Sequence, residues 1–284
     1  MIIAVVGPTG VGKTKMSVEL AKKYNAIIIN CDAVQVYKKL NIGSAKITEE
    51  EKEGISHYLF DIKDPNEEYT VKDYQDNLRK LIDNNKDRNI IIVGGTGLYL
   101  CAGLFDYRFE EEGSNKTYDE YTNEELYELA KARDNNVDIH PNNRVRLIRY
   151  LNKTNIEKVD PILLYDNVHI IGLTTQRDNL YKIINNRVDQ MIENGLINEV
   201  EELYKKYPNS RIIHSAIGYK EIVEYLENKI SLEKAIDNIK QNSRHYAKRQ
   251  YTWFNNKMNV NWFNTNYENF DLTINEVINF IGEE

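Results

Sequence analysis

Residues 2–14 read Ile2-Ile3-Ala4-Val5-Val6-Gly7-Pro8-Thr9-Gly10-Val11-Gly12-Lys13-Thr14. An apolar run leads into a stretch, Gly7 to Thr14, that matches G-x-x-x-x-G-K-[ST] in full. Apolar positions at Met16, Leu20 and Ala21 then predict a helix over Lys13–Tyr24. Strand, glycine-rich turn and helix in that order make a phosphate cradle. The glycines let the backbone curl until its N–H groups point at an anion, and the helix start adds its positive dipole end. Lys13 supplies a positive charge, and Thr14 can hold a magnesium ion that bridges phosphate oxygens. Any diphosphate or triphosphate fits a loop made of Gly7, Pro8, Thr9, Gly10, Val11, Gly12, Lys13 and Thr14.

Outward from the loop, the apolar runs Ala26–Asn30, Ile90–Val93 and Val168–Leu173 predict further buried strands. Helical spacing at Val71–Asn84 falls between two of them, so the strands alternate with helices and predict a parallel sheet. The expected fold class is α/β: a P-loop NTPase-like parallel sheet core flanked by helices, with a small helical insertion domain. Residues 107–141 are polar and acidic, with Glu110, Glu111 and Glu112 in a row and a helical stretch near Glu124–Ala132, and are expected to form the insertion, a lid. Residues 1–106 and 142–284 form the expected core. They include a basic helix, Asn143–Leu151, and helices at Leu180–Glu193, Leu196–Lys206, Tyr219–Leu226 and Leu232–Phe254. The tail past Asn255 is rich in Asn, with an amphipathic turn or two around Ile274–Ile281.

The chain has 284 residues, 41% of them hydrophobic and 29% charged, which predicts a soluble globular protein with a full core. No apolar run approaches the roughly 20 residues of a membrane helix, and no secretory signal pattern is present, so a cytoplasmic protein without a membrane partner is expected. Cys31 and Cys101 are the only cysteines and have no metal-like spacing, which predicts two reduced thiols near the core. The net charge of −7 argues mildly against nucleic acid. The charge is uneven, however. No acid occurs from Asn238 to Tyr267 or from Ile139 to Ile156, and each stretch carries several Lys or Arg. Local basic zones on an acidic protein can still meet a phosphate backbone.

A nucleotide-hydrolysing loop is ordinarily served by an apolar strand that ends in Asp. Ile27-Ile28-Ile29-Asn30-Cys31-Asp32 reaches an Asp two residues late, and Ile90–Val93 ends in Gly94-Gly95-Thr96 with no acid. These strand ends carry a resemblance. Cys31-Asp32-Ala33-Val34-Gln35-Val36-Tyr37, Asn41–Lys46, His57–Asp61, Gly94-Gly95-Thr96-Gly97-Leu98-Tyr99, Ile139–Asn143, Ala216–Lys220 and Arg244–Trp253 occur in the order of the tRNA dimethylallyltransferases. From Ile2 to about Phe254 the chain resembles that family. The resemblance implies magnesium, dimethylallyl diphosphate as donor, and N6 of the adenosine immediately 3′ of the tRNA anticodon as acceptor. It also differs from the family's usual residues: Ala33 stands for a usual Ser, Asn143 for a usual Asp and His245 for a usual Gln, and the insertion is shorter.

Asp32 is the candidate general base. An exocyclic adenine amine is a poor nucleophile, and a carboxylate at a strand end beside a phosphate loop can take its proton. Read from position alone, Asp32 could equally be a helix cap or a magnesium-shell residue. Thr96 ends a strand at the same sheet edge; the resemblance places it near the reacting base and phosphate, and a plain Gly-Gly-Thr-Gly turn is the alternative. Arg244 and Lys220 are candidates, with Lys13, to neutralise the departing pyrophosphate. Lys240, Arg244 and Lys248 share one helical stripe that borders an apolar one, so Lys240 and Lys248 are either tRNA contacts or a solvated face. The resemblance assigns Asp32, Ala33, Val34, Gln35 and Thr96 to the flipped adenine, and Val145, Arg146, Leu147, Ile148 and Arg149 to the tRNA surface. A monomer is expected.

Three other functions compete. A small-molecule kinase would need an arginine-rich lid, where the insertion here is acidic. An adenylate isopentenyltransferase would use the same chemistry on free AMP, without need of the basic zone Arg144–Lys153. A non-catalytic nucleotide-binding regulator would not need the polar strand ends.

Overall fold

The computed structural model describes residues 1–109, 116–153 and 162–283. The acidic run Glu110–Glu112 lies outside these. Six strands form one parallel sheet: β1 (Ile2–Val6), β2 (Ala26–Asn30), β3 (His57–Tyr58), β4 (Asn89–Val93), β5 (Val168–Thr174) and β6 (Asn261–Asn264), in the order β3-β2-β4-β1-β5-β6. The helices of the same unit are α1 (Lys13–Tyr24), α2 (Val71–Asn84), α3 (Gly97–Leu104), α6 (Arg177–Glu193), α7 (Leu196–Lys206), α8 (Tyr219–Leu226), α9 (Leu232–Lys257) and α10 (Phe270–Glu283). A phosphate loop after the first strand of such a sheet is the P-loop NTPase-like arrangement that residues 2–14 predict.

Strands covered on both faces need apolar side chains at every position, and β1 shows how they are used. Ile2, Ala4 and Val6 join a core with α2, α3, α7, α8 and α9, whereas Ile3 and Val5 join the opposite core with α1 and α10. Successive side chains of a strand point to opposite faces, so one run of five residues supplies both cores. Local signals set the helix ends. Thr70 and Asp73 form a capping box on α2, and Asn25 ends α1 in the left-handed conformation with φ 48°.

The chain divides into two compact units, Met1–Phe105 with Leu163–Glu284, and Asp106–Ile162. The insertion expected over residues 107–141 therefore extends further along the chain. The basic helix α5 (Arg144–Asn152), expected in the core, packs against α4 (Asn123–Arg133), because Leu147 is buried with Leu126 and Ala130 in a small core of their own. Among the described residues, no helix is long and apolar enough to cross a membrane.

Candidate active site

The phosphate loop holds two cations. Lys13, at the start of α1, turns its amine back to donate to the carbonyls of Gly7 (3.0 Å) and Pro8 (2.7 Å). Arg187 of α6 donates from Nη1 to Oγ1 of Thr9 at 2.9 Å. Burial pushes the Lys13 amine down to about 7, the Arg187 charge pushes the same way, and Asp32 opposes both. Arg187 is itself lowered by burial, again against the pull of Asp32. Two like charges gathered at one loop repel each other, and an anion between them would relieve that repulsion.

Asp32 stands beyond the end of β2. The Asn30 side chain, 1% exposed, fixes its backbone: Asn30 Oδ1 accepts from the Asp32 N–H at 3.0 Å, and Nδ2 donates to the Asp32 carbonyl at 3.1 Å and to Leu59 at 2.9 Å. Oδ1 of Asp32 accepts the N–H groups of Val34 (2.8 Å) and Gln35 (3.3 Å). One carboxylate oxygen thus caps the turn that follows, as the cap alternative supposes. Oδ2 makes no hydrogen bond among the described residues. Thr96, beyond the end of β4, accepts from the Ala33 N–H through Oγ1 at 3.1 Å and hydrogen-bonds the Tyr246 hydroxyl of α9. Burial, followed by the Asp32 charge, pushes that hydroxyl above the usual tyrosine range. Lys13, Arg187 and Tyr246 all feel the Asp32 carboxylate, which places it among them.

Helix α9 ties loop to strand end. Gln250, 5% exposed, accepts the Thr9 N–H at 3.0 Å and donates to the Gly95 carbonyl at 3.0 Å. A Cβ at Gly95 would fall 1.9 Å from the Gln250 amide, so a side chain there would displace the group that joins Thr9 to Gly95. Cys31 and Cys101 are both buried free thiols, as the spacing predicts.

Other expected residues make contacts of their own. Arg244 does sit on α9 near α6, but its Nη1 donates to Asn185 at 2.6 Å and its plane lies over Tyr181. Lys240 pairs with Asp189 of α6 at 2.6 Å, so the first two members of the basic stripe fasten α9 to α6, and Lys248 is exposed. Lys220 sits 3.7 Å from Glu221 on α8. Gln35, expected at the adenine, donates to the carbonyls of Ser44 (2.9 Å) and Ala45 (3.3 Å). In the second unit Val145, Arg146 and Arg149 are exposed and Ile148 is half-buried, but Leu147, expected on the tRNA surface, is wholly buried because it is that unit's core. Asn143 accepts from the Arg146 N–H at 3.3 Å and so caps α5 as an Asp would. Arg187 and Gln250 were not singled out by the sequence patterns. Gln250 falls within the quoted stretch Arg244–Trp253, and Arg187 in a helix after a strand of the sheet, a place too common to identify it.

The family model described as IPP transferase matches residues 35–257. A tRNA dimethylallyltransferase from Anoxybacillus flavithermus is 46% identical over 99% of this chain and 96% of its own. One from Fusobacterium nucleatum is 46% identical over 92% of this chain and 91% of its own. The full-length tRNA isopentenylpyrophosphate transferase of Bacillus halodurans matches with a TM-score of 0.79 at 43% identity, covering 99% of this chain and 95% of that one. A eukaryotic dimethylallyltransferase, captured in crystallographic snapshots of its action on tRNA, matches with a TM-score of 0.81 at 27% identity, covering 100% of this chain and 80% of that one. Sequence likeness over almost the whole length, on one shared fold, makes this chain a member of the IPP transferase family.

Proposed function

We propose that the protein transfers a dimethylallyl group from dimethylallyl diphosphate to N6 of the adenosine immediately 3′ of the tRNA anticodon, releasing pyrophosphate. The observation that carries this reading is the meeting of Lys13 and Arg187 with the Asp32 carboxylate at one loop. Transfer of an alkyl group from a diphosphate ester to an amine needs cations for the leaving diphosphate and a base for the nucleophile, and this site offers both. The names of the relatives and the action on tRNA of the eukaryotic one support the same reading.

In the proposed reaction the N6 lone pair attacks C1 of the dimethylallyl group. The C1–O bond breaks with its electron pair leaving on the diphosphate, and the N6 proton passes to Oδ2 of Asp32. Lys13 and Arg187 hold the growing negative charge of the diphosphate. Thr96 and Asn30 hold the turn that carries Asp32. The adenine leaves the anticodon stack to reach this base. Exposed Arg146 and Arg149 of α5 contact the tRNA backbone. A magnesium ion fits the donor set. Thr14 offers an exposed hydroxyl at the start of α1, and no cluster of three or more His, Cys, Asp or Glu could hold a metal among the described residues. Magnesium keeps several waters and binds substrate phosphates, so one or two protein oxygens suffice. When bound it would neutralise diphosphate oxygens.

Mass spectrometry of tRNA from a deletion strain should find isopentenyladenosine missing, and purified protein given donor, magnesium and that tRNA should restore it. Transfer to free AMP as efficient as to tRNA, or ATP turnover without tRNA and without prenylated product, overturns the reading.

A further inference from the structure

We infer that the carboxyl-terminal segment from β6 into α10 is a brace that sets the phosphate loop, with Thr265 and Tyr267 as positioning residues for the diphosphate. The segment, like the phosphate loop itself, lies outside residues 35–257 matched by the family model. The inference rests on the loop being the diphosphate site, as proposed above.

Pairing brings the segment there. β6 lies parallel to β5, and β5 lies parallel to β1, so the carboxyl end of β6 emerges on the loop's side of the sheet. The chain then runs along the loop. The Thr265 N–H continues the pairing by donating to the Thr174 carbonyl at 2.8 Å. Its hydroxyl donates to the carbonyl of Val11 at 3.0 Å, and the Tyr267 hydroxyl donates to the carbonyl of Gly10 at 3.3 Å. Asn266 Oδ1 caps the next turn by accepting from Glu268 (3.1 Å) and Asn269 (2.9 Å), and α10 begins at Phe270. The Phe270 ring fills the space beside Gly12, where a Cβ would fall 2.5 Å from it, and Lys15 lies over the same ring.

The peptide plane turns these contacts into an effect on the anion site. In a trans peptide the C=O of one residue and the N–H of the next point in opposite directions. Holding the Gly10 carbonyl toward Tyr267 turns the Val11 N–H away from the tail. Holding the Val11 carbonyl toward Thr265 does the same for the Gly12 N–H. Away from the tail is the concave side of the loop, where successive N–H groups receive phosphate oxygens. Thr265 is 8% exposed and Val11 fully buried, so removing the hydroxyl takes a partner from the Val11 carbonyl inside the fold. The open cavity of about 920 Å³ at the ends of β5 and β6 is lined by Thr265 and Tyr267 but not by Asp32, Thr96 or Lys13, so it is no part of the strand-end site.

The test compares wild type with Thr265→Val, Thr265→Ser and Tyr267→Phe. Four quantities are read: affinity for magnesium pyrophosphate by calorimetry, donor KM, tRNA KM and Tm. Thr265→Val should weaken pyrophosphate binding and raise the donor KM about tenfold, with the tRNA KM within about twofold, and Thr265→Ser should restore both. Tyr267→Phe, at an exposed residue that the fold does not need, should shift the same two constants about two- to threefold. A Thr265→Val protein with lowered Tm but wild-type pyrophosphate and donor constants overturns the inference, as does an equal rise in both KM values. Should Thr265→Val fail to fold, unchanged constants in Tyr267→Phe overturn it alone. Wild type that binds no pyrophosphate removes the diphosphate reading itself, and the brace's role with it.

Discussion

Arg187 and Thr9 meet at 2.9 Å across 178 residues of chain, and their contact brings a second half-buried cation to the phosphate loop. It brings α6 to the loop proposed to hold the diphosphate. The neighbouring arginine on the facing helix, Arg244, is instead committed to Asn185.

Arg187→Ala should therefore lower the single-turnover transfer rate about 10²- to 10³-fold, the usual effect of removing one preorganised donor to a developing charge. Arg244→Ala should cost less than about tenfold, through α6–α9 packing. Rapid-quench measurements at saturating donor and tRNA separate the two. Equal losses would place both arginines on the leaving group.

Burial, with the Arg187 charge, pushes the Lys13 amine down to about 7. A bound diphosphate favours the charged amine and raises its pKa, so the complex holds more protons than the free protein. Donor affinity should be fullest below pH 7 and fall, by up to about tenfold per unit, as pH rises above it. Calorimetry at pH 8 in two buffers of different ionisation heat should register uptake of up to about one proton, and Lys13→Met should abolish it. In Arg187→Ala the loss of the like charge should move the fall to higher pH.

Asp32→Asn keeps the oxygen that caps Val34 and Gln35 and removes the base. Single-turnover transfer should fall about 10²- to 10⁴-fold while donor affinity stays close to wild type. Near-wild-type transfer would leave Asp32 as a turn cap only and require another base.

Gln250→Ala should be among the most destabilising changes in this site. It strands the Thr9 N–H and the Gly95 carbonyl in a buried place, at a cost of about 2 kcal/mol or more. Thermal unfolding should show it as a Tm drop of several degrees, and Gln250→Glu, which keeps one of the two bonds, should lose less. An unchanged Tm would mean that water enters between α9 and the loop.

Arg146→Ala and Arg149→Ala should raise the tRNA KM and flatten its dependence on salt, since each removed phosphate contact lowers the slope of log affinity against log salt by about one. The donor KM should stay constant. Equal effects on both substrates would take these residues off the tRNA.

The strands β1, β2, β4 and β5 were legible to within a residue, because each is built around a mostly apolar run buried on both faces. β3 and β6 were not. One is two residues long, and the other, Asn-Trp-Phe-Asn, lies at the sheet's edge, where half-buried polar residues leave no apolar run. Glycines at the end of β4 hid α3, whose first residue is Gly97. In the site, Lys13, Asp32 and Thr96 were legible because each follows a strand at a recognisable turn.

By itself, then, the amino-acid sequence determined the phosphate loop, the alternation of strands and helices around it, and the polar residues at two strand ends. Those are properties of neighbouring residues: glycines that permit a turn, apolar runs that demand burial, a lysine at a helix start. Only the tertiary structure decided that Arg187 rather than Arg244 reaches Thr9, that Gln250 joins Thr9 to Gly95, that Leu147 turns inward from α5, and that Thr265 and Tyr267 back the loop from the chain's far end. Which side chain of a helix meets a distant backbone group depends on the rotation and packing of whole elements, and residue types and their local spacing do not carry that information.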